Sequence, residues 1–105
     1  MFIKDETIVP PQKNIKIARA KNIEGPYQVL TAQLTGNYWA EGPTALQING
    51  EWYVYFDKYR DHKYGAVKSK DLKNWVDISD SIQMPSKMRH GSTFKISKEE
   101  FQKLL

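Results

Sequence analysis

The sequence predicts an all-β fold: a partial β-propeller, about two blades' worth of antiparallel four-stranded meander, with a short C-terminal helix. Three observations predict it. Short runs rich in aromatic and β-branched residues alternate with turn residues along most of the 105-residue chain. Asn49-Gly50, which tolerates positive φ at both central turn positions, stands between two such runs as a two-residue hairpin would. The chain also falls into register with itself at an offset of 49 residues, near the roughly 40–50-residue period of four-stranded blades.

In chain order, residues 1–13, with Pro10-Pro11, read as an extended lead-in without regular structure. Residues 14–39 read as the end of one blade, its last strands lying within 14–31. At the 49-residue offset, Lys21-Asn22-Ile23 matches Lys70-Asp71-Leu72, Ala20 falls on Ser69, Gly42 on Gly91 and Thr44 on Thr93. Residues 40–80 read as a whole blade, with strands at 44–48, 51–57, 64–69 and 75–78. In the second of these, Trp52, Val54 and Phe56 share one face and Tyr53, Tyr55 and Asp57 the other. Both faces are bulky, so that strand is expected to be covered on both sides. Residues 81–97 read as the start of a closing blade, with a strand at about 90–97. Ser97-Lys98-Glu99-Glu100 fits a capping box, and Phe101, Leu104 and Leu105 recur at helical spacing, which makes 98–105 a short helix.

Composition narrows the function. Sixteen Lys plus Arg against twelve Asp plus Glu leave a formal charge of +4, dispersed rather than gathered in a stripe, which argues against a nucleic-acid partner. No apolar run approaches the roughly 20 residues of a membrane span. The first residues, Met1-Phe2-Ile3-Lys4-Asp5-Glu6, lack the pattern of a signal peptide, so a cytoplasmic location is the default expectation. The absence of Cys excludes disulfides, thiol nucleophiles and thiolate metal sites. Three Trp, six Tyr and four Phe form a heavy aromatic load, suited to core and to ligand contact.

Three segments could carry chemistry. In Asn37-Tyr38-Trp39-Ala40-Glu41-Gly42-Pro43-Thr44 a carboxylate opens a strand between aromatic rings and a Gly-Pro pair. Rings that exclude water would raise the pKa of Glu41, as a general acid requires. Met88-Arg89-His90-Gly91 lies one period further on, where Arg89 could clamp a hydroxyl or carboxylate and His90 could bind a proton, a hydroxyl or a metal. The loop Asp57-Lys58-Tyr59-Arg60-Asp61-His62-Lys63-Tyr64 alternates charges and rings, and Asp57 or Tyr59 reaches a ligand if that loop lies at a channel mouth. On the residues alone the plain alternatives stand: a solvated turn Glu, a surface Arg, a hydrogen-bonded structural His and a self-compensating loop.

The order of these motifs resembles glycoside hydrolase family 43 and its arabinanase and xylosidase relatives. Ala40-Glu41-Gly42-Pro43-Thr44 followed by the Tyr-rich strand Trp52-Tyr53-Val54-Tyr55-Phe56 is similar to the family's acid-bearing segment. Ser69-Lys70-Asp71-Leu72-Lys73-Asn74-Trp75 resembles its turn between outer blade strands, Ile23-Glu24-Gly25-Pro26-Tyr27 a variant of that turn, and Met88-Arg89-His90-Gly91 the start of its closing blade. The resemblance covers about residues 14–97. It implies a five-bladed propeller that hydrolyses arabinose- or xylose-containing glycans with inversion, with Glu41 as general acid. Trp39, Tyr59, Arg89 and His90 are then the expected sugar contacts. No cofactor is required, although the arabinanase members imply a calcium ion in the channel with His90 as its ligand.

Five blades at this period need about 245 residues, so the expectation is a C-terminal portion that lacks the family's general base and is inactive alone. The partners expected are an oligosaccharide or polysaccharide and either a further copy or the remaining propeller. Full-length members of the family are often secreted, which leaves the location open. Two alternatives remain: a non-catalytic carbohydrate-binding module, with Tyr38, Trp39 and Tyr59 stacking on sugar rings, and a self-associating β-domain.

Overall fold

The computed structural model describes residues 1–30 and 32–105. Strands β1 (Phe2–Lys4), β2 (Ile15–Arg19) and β3 (Gln28–Val29) form one antiparallel sheet in the order β1-β2-β3. Strands β4 (Glu41–Ile48), β5 (Glu51–Lys58), β6 (Lys63–Ser69) and β7 (Val76–Asp77) form a second, in sequence order. A 3₁₀ turn at Ser79–Ser81 and a helix α1 (Lys98–Lys103) complete the described elements. The all-β expectation holds, and the second sheet has the meander order of a propeller blade.

Local chemistry explains the meander. Asn49 and Gly50 both adopt positive φ, 49° and 81°, and pair Ile48 with Glu51 across the turn. β5 is hydrogen-bonded on both edges, and its Val54 and Phe56 are fully buried. On its opposite face Asp57 is buried as well, so the strand is covered on both sides as its pattern predicts. The loop 69–75 is a hydrogen-bonded knot. The Ser69 hydroxyl accepts from the amides of Asp71 and Leu72, and the Asp71 carboxylate accepts from the amides of Lys73 and Asn74. That knot delivers Trp75 edge-on to Phe2, ring centroids 6.1 Å apart.

One core joins the sheets. Ile15 and Ile17 from β2, Leu34, Ala40, Val54, Phe56 and Val67 are buried together, with Phe2, Tyr38, Ala45 and Trp75 packed against them. Each large side chain taken from water contributes roughly 1.5–3 kcal/mol, so this cluster supplies most of the drive to fold. The loops 20–27 and 70–75 each connect the last two strands of their sheet, the topological counterpart of the 49-residue register. Thr44 and Thr93, matched by the same offset, lie with their hydroxyls 3.2 Å apart.

Several expectations are corrected. Residues 1–13 are not an irregular lead-in throughout, because Phe2–Lys4 pairs with Ile15–Ile17. The reason is tertiary: Phe2 packs against Trp52 and Trp75, contacts far away in sequence. The strand expected at 90–97 does not form. Thr93 instead bonds its amide to the Thr44 hydroxyl and its own hydroxyl to the Ala45 carbonyl, which replaces a backbone ladder. The fourth strand of the meander is only Val76–Asp77. The capping box at Ser97 and Glu100 forms as its spacing predicts, but none of the residues of α1 is buried. Among the described residues, no helix is long and apolar enough to cross a membrane.

Candidate active site

The site lies at the end of β4 and β5 opposite the Asn49-Gly50 turn. Glu41 opens β4 and pairs with Asp57 near the end of β5, and the register then slips between Glu41 and Thr44. The slip has local causes. Gly42 takes φ +57°, and Pro43 carries no amide hydrogen for the ladder. Gly42 also gives His90 room, since a Cβ at that position would lie 3.0 Å from its Nδ1. The segment carrying Arg89 and His90 is shaped by positive φ at Lys87 (63°) and His90 (44°), a conformation that concentrates at functional loops.

Three side chains converge on the two carboxylates. Arg89 Nε donates to Asp57 Oδ2 at 3.1 Å, and Arg89 Nη2 donates to Glu41 Oε1 at 3.2 Å. His90 Nε2 lies 3.1 Å from the same Glu41 oxygen. Lys4 Nζ, brought in by β1, donates to Glu41 Oε2 at 2.9 Å and sits 4.9 Å from the centre of the Tyr59 ring. Asp57 is the most enclosed member, its side chain 2% exposed, against 20% for Glu41 and 64% for Arg89. Trp39 packs on Tyr59 with ring centroids 6.0 Å apart, and the Arg60 guanidinium covers one Trp39 face at 3.5 Å. Beside this cluster a cleft of about 260 Å³ is lined by Asp57, Tyr59, His62, Lys87, Met88 and Arg89. A larger opening of about 680 Å³ at the β2–β3 loop is lined by no carboxylate and no histidine.

Glu41 therefore differs from its expectation in one respect. The hydrogen bond from His90 and the Lys4 ammonium hold its carboxyl below the ordinary carboxylate range, against the opposing effect of burial. The rings expected to raise it are present, but cations reach it first. Tyr38 is likewise not a sugar platform: it stacks on Phe56 at 5.9 Å, carries Lys58 over its ring and donates its hydroxyl to Asp77. Glu41, Arg89, His90, Tyr59 and Trp39, separated widely in sequence, are all brought to one end of the hairpin.

Ligand atoms of Glu41, Asp57 and His90 lie within 4.8 Å of one another, a set that could face a cation. A calcium ion takes about six to eight oxygen ligands. Here the two carboxylates are already bonded by Arg89 and Lys4, so the cluster as folded suits an ion-pair network better than a calcium cage. Two participants were not legible in the motif: Lys4, which lies in the expected lead-in, and the burial of Asp57. The placement of Asp57 on a bulky strand face was the available signal for the second.

A family model described as "probable glycosyl hydrolase domain" matches residues 1–102. No curated protein matches the chain, and no solved structure does. The chain belongs to this glycosyl hydrolase domain family, which supports its relationship to glycoside hydrolase family 43.

Proposed function

We propose that this glycosyl hydrolase-family domain handles arabinose- or xylose-containing glycans at Glu41, as the acid-bearing part of an inverting site whose general base is supplied from outside the Glu41 cluster. The observation that carries the reading is the convergence of Glu41, Arg89 and His90 at the bulged end of β4 and β5, beside an open cleft. Arginine N–H groups and a histidine suit sugar hydroxyls, and a carboxyl there can protonate a leaving oxygen. An inverting site holds its two carboxyls roughly 6.5–9.5 Å apart, to leave room for water. Asp57 cannot be that second group: its ligand atom lies within 4.8 Å of the others, and Arg89 holds it.

The lowered pKa of Glu41 sets a condition on the same reading. A general acid must carry a proton, and the His90 hydrogen bond and the Lys4 ammonium favour the ionised form of this one in the chain as folded. A glycan or a further carboxylate that displaced Lys4 from Oε2 would move Glu41 towards the protonated form. A purely stacking module is less well supported, because Arg60 lies over one face of Trp39 and Lys4 over the Tyr59 ring.

Hydrolysis and binding of xylotriose and arabinotriose by the 105-residue chain test the reading. Binding with hydrolysis at background is expected, and Glu41→Gln should keep that binding within about threefold, because the amide fills the same volume and still accepts hydrogen bonds. Rapid turnover abolished by Glu41→Gln would overturn the claim that the base comes from elsewhere. Failure to bind either sugar would overturn the glycan reading itself.

A further inference from the structure

We infer that Asp57 is the positioning residue of this site: its buried carboxylate fixes the plane of the Arg89 guanidinium, so that the remaining N–H donors of Arg89 face the cleft beside Glu41. What Arg89 contacts rests on the proposed function, whereas the anchoring does not.

A buried carboxylate is costly unless it is paired, and of Glu51, Tyr53, Tyr55 and Asp57, which share one face of β5, only Asp57 is buried. Packing alone therefore gives no reason for an acid there. Its partner is an arginine whose side chain is 64% exposed and would otherwise sample many rotamers. Two different nitrogens of that arginine are held by two different carboxylates, Nε by Asp57 at 3.1 Å and Nη2 by Glu41 at 3.2 Å. Two such bonds on a rigid fork leave the guanidinium little rotational freedom. The flanking residues Lys87 and His90 both adopt left-handed backbone conformations, and the ring of His90 is seated over Gly42. The loop and the buried acid together hold Arg89 in place. Arg89 and Asp57 both line the 260 Å³ cleft, so the anchored group borders the space a ligand would enter. A lysine at position 89 would keep the charge but could not bridge both acids through two nitrogens of one plane.

The full-length chain tests this through the arginine side-chain N–H signals in NMR spectra. Arg89 Nε–H should exchange with solvent about tenfold or more slowly than that of exposed Arg19 in the same spectrum, and this protection should vanish in Asp57→Asn. In titrations with xylotriose and arabinotriose, Asp57→Asn and Arg89→Ala should each weaken binding about tenfold, and the double variant should be no weaker than Arg89→Ala alone. Arg89→Lys, which leaves the acid in place, should weaken binding as Arg89→Ala does. Equal exchange of Arg89 and Arg19 in the wild-type chain would overturn the inference, as would wild-type affinity in Arg89→Lys. If the wild-type chain binds neither sugar, the proposed function fails, and the exchange rates still decide whether Asp57 anchors Arg89.

Discussion

The two ends of the β4–β5 hairpin are built from the same strands and follow different rules. At one end, Asn49 and Gly50 close a regular ladder, and a Cβ on Gly50 would meet nothing within 4 Å. At the other, the ladder slips, a glycine makes way for a histidine ring, an aspartate is buried, and Lys4 and the Arg89-His90 pair, from two distant parts of the chain, gather on a glutamate. The turn end satisfies local preference at every position, as a purely structural element does. The bulged end departs from local preference several times within a few ångströms, and such departures concentrate where a fold is used.

The largest effect is expected where the ends share support. Phe56 is fully buried between them and stacks on Tyr38, so Phe56→Ala should cost about 3–5 kcal/mol in urea unfolding and loosen both ends together. A loss confined to one end would break the picture of one common core. The two glycines separate the ends more sharply. Gly50→Ala places an L-residue at φ +81° in open space and should cost about 1 kcal/mol with no change in oligosaccharide affinity. Gly42→Ala meets a similar backbone penalty of about 1–2 kcal/mol and also pushes on the His90 ring, so it should weaken sugar binding about tenfold. Equal effects of the two substitutions on binding, measured by calorimetric titration, would remove the functional distinction between the ends.

Much of this was legible in the sequence where the information is local. The Asn49-Gly50 turn, the two-sided face pattern of β5 and the Ser97–Glu100 capping box each depend on residues a few positions apart, and each forms. Glu41, Arg89 and His90 were legible as candidates through motif order. What escaped were features decided at long range. β1 exists because Phe2 meets Trp52 and Trp75, and Lys4 reaches Glu41 only once β1 has paired with β2. The His90 hydrogen bond, together with this Lys4 contact, reverses the direction of the pKa shift expected for Glu41, since ring content can be counted in a sequence but the approach of distant polar groups cannot. Likewise, residues 90–97 carry strand-like composition, yet Thr93 meets β4 through its side chain and leaves no ladder.

The most direct test of the central claim is a backbone amide chemical-shift map of the full-length chain titrated with xylotriose and arabinotriose. The claim that the bulged end handles glycan predicts saturable shifts at Glu41, Asp57, Tyr59, Arg89 and His90, with Asn49 and Gly50 unmoved. Shifts centred on the Asn49-Gly50 turn or on the β2–β3 loop, with the Glu41 cluster silent, would contradict it.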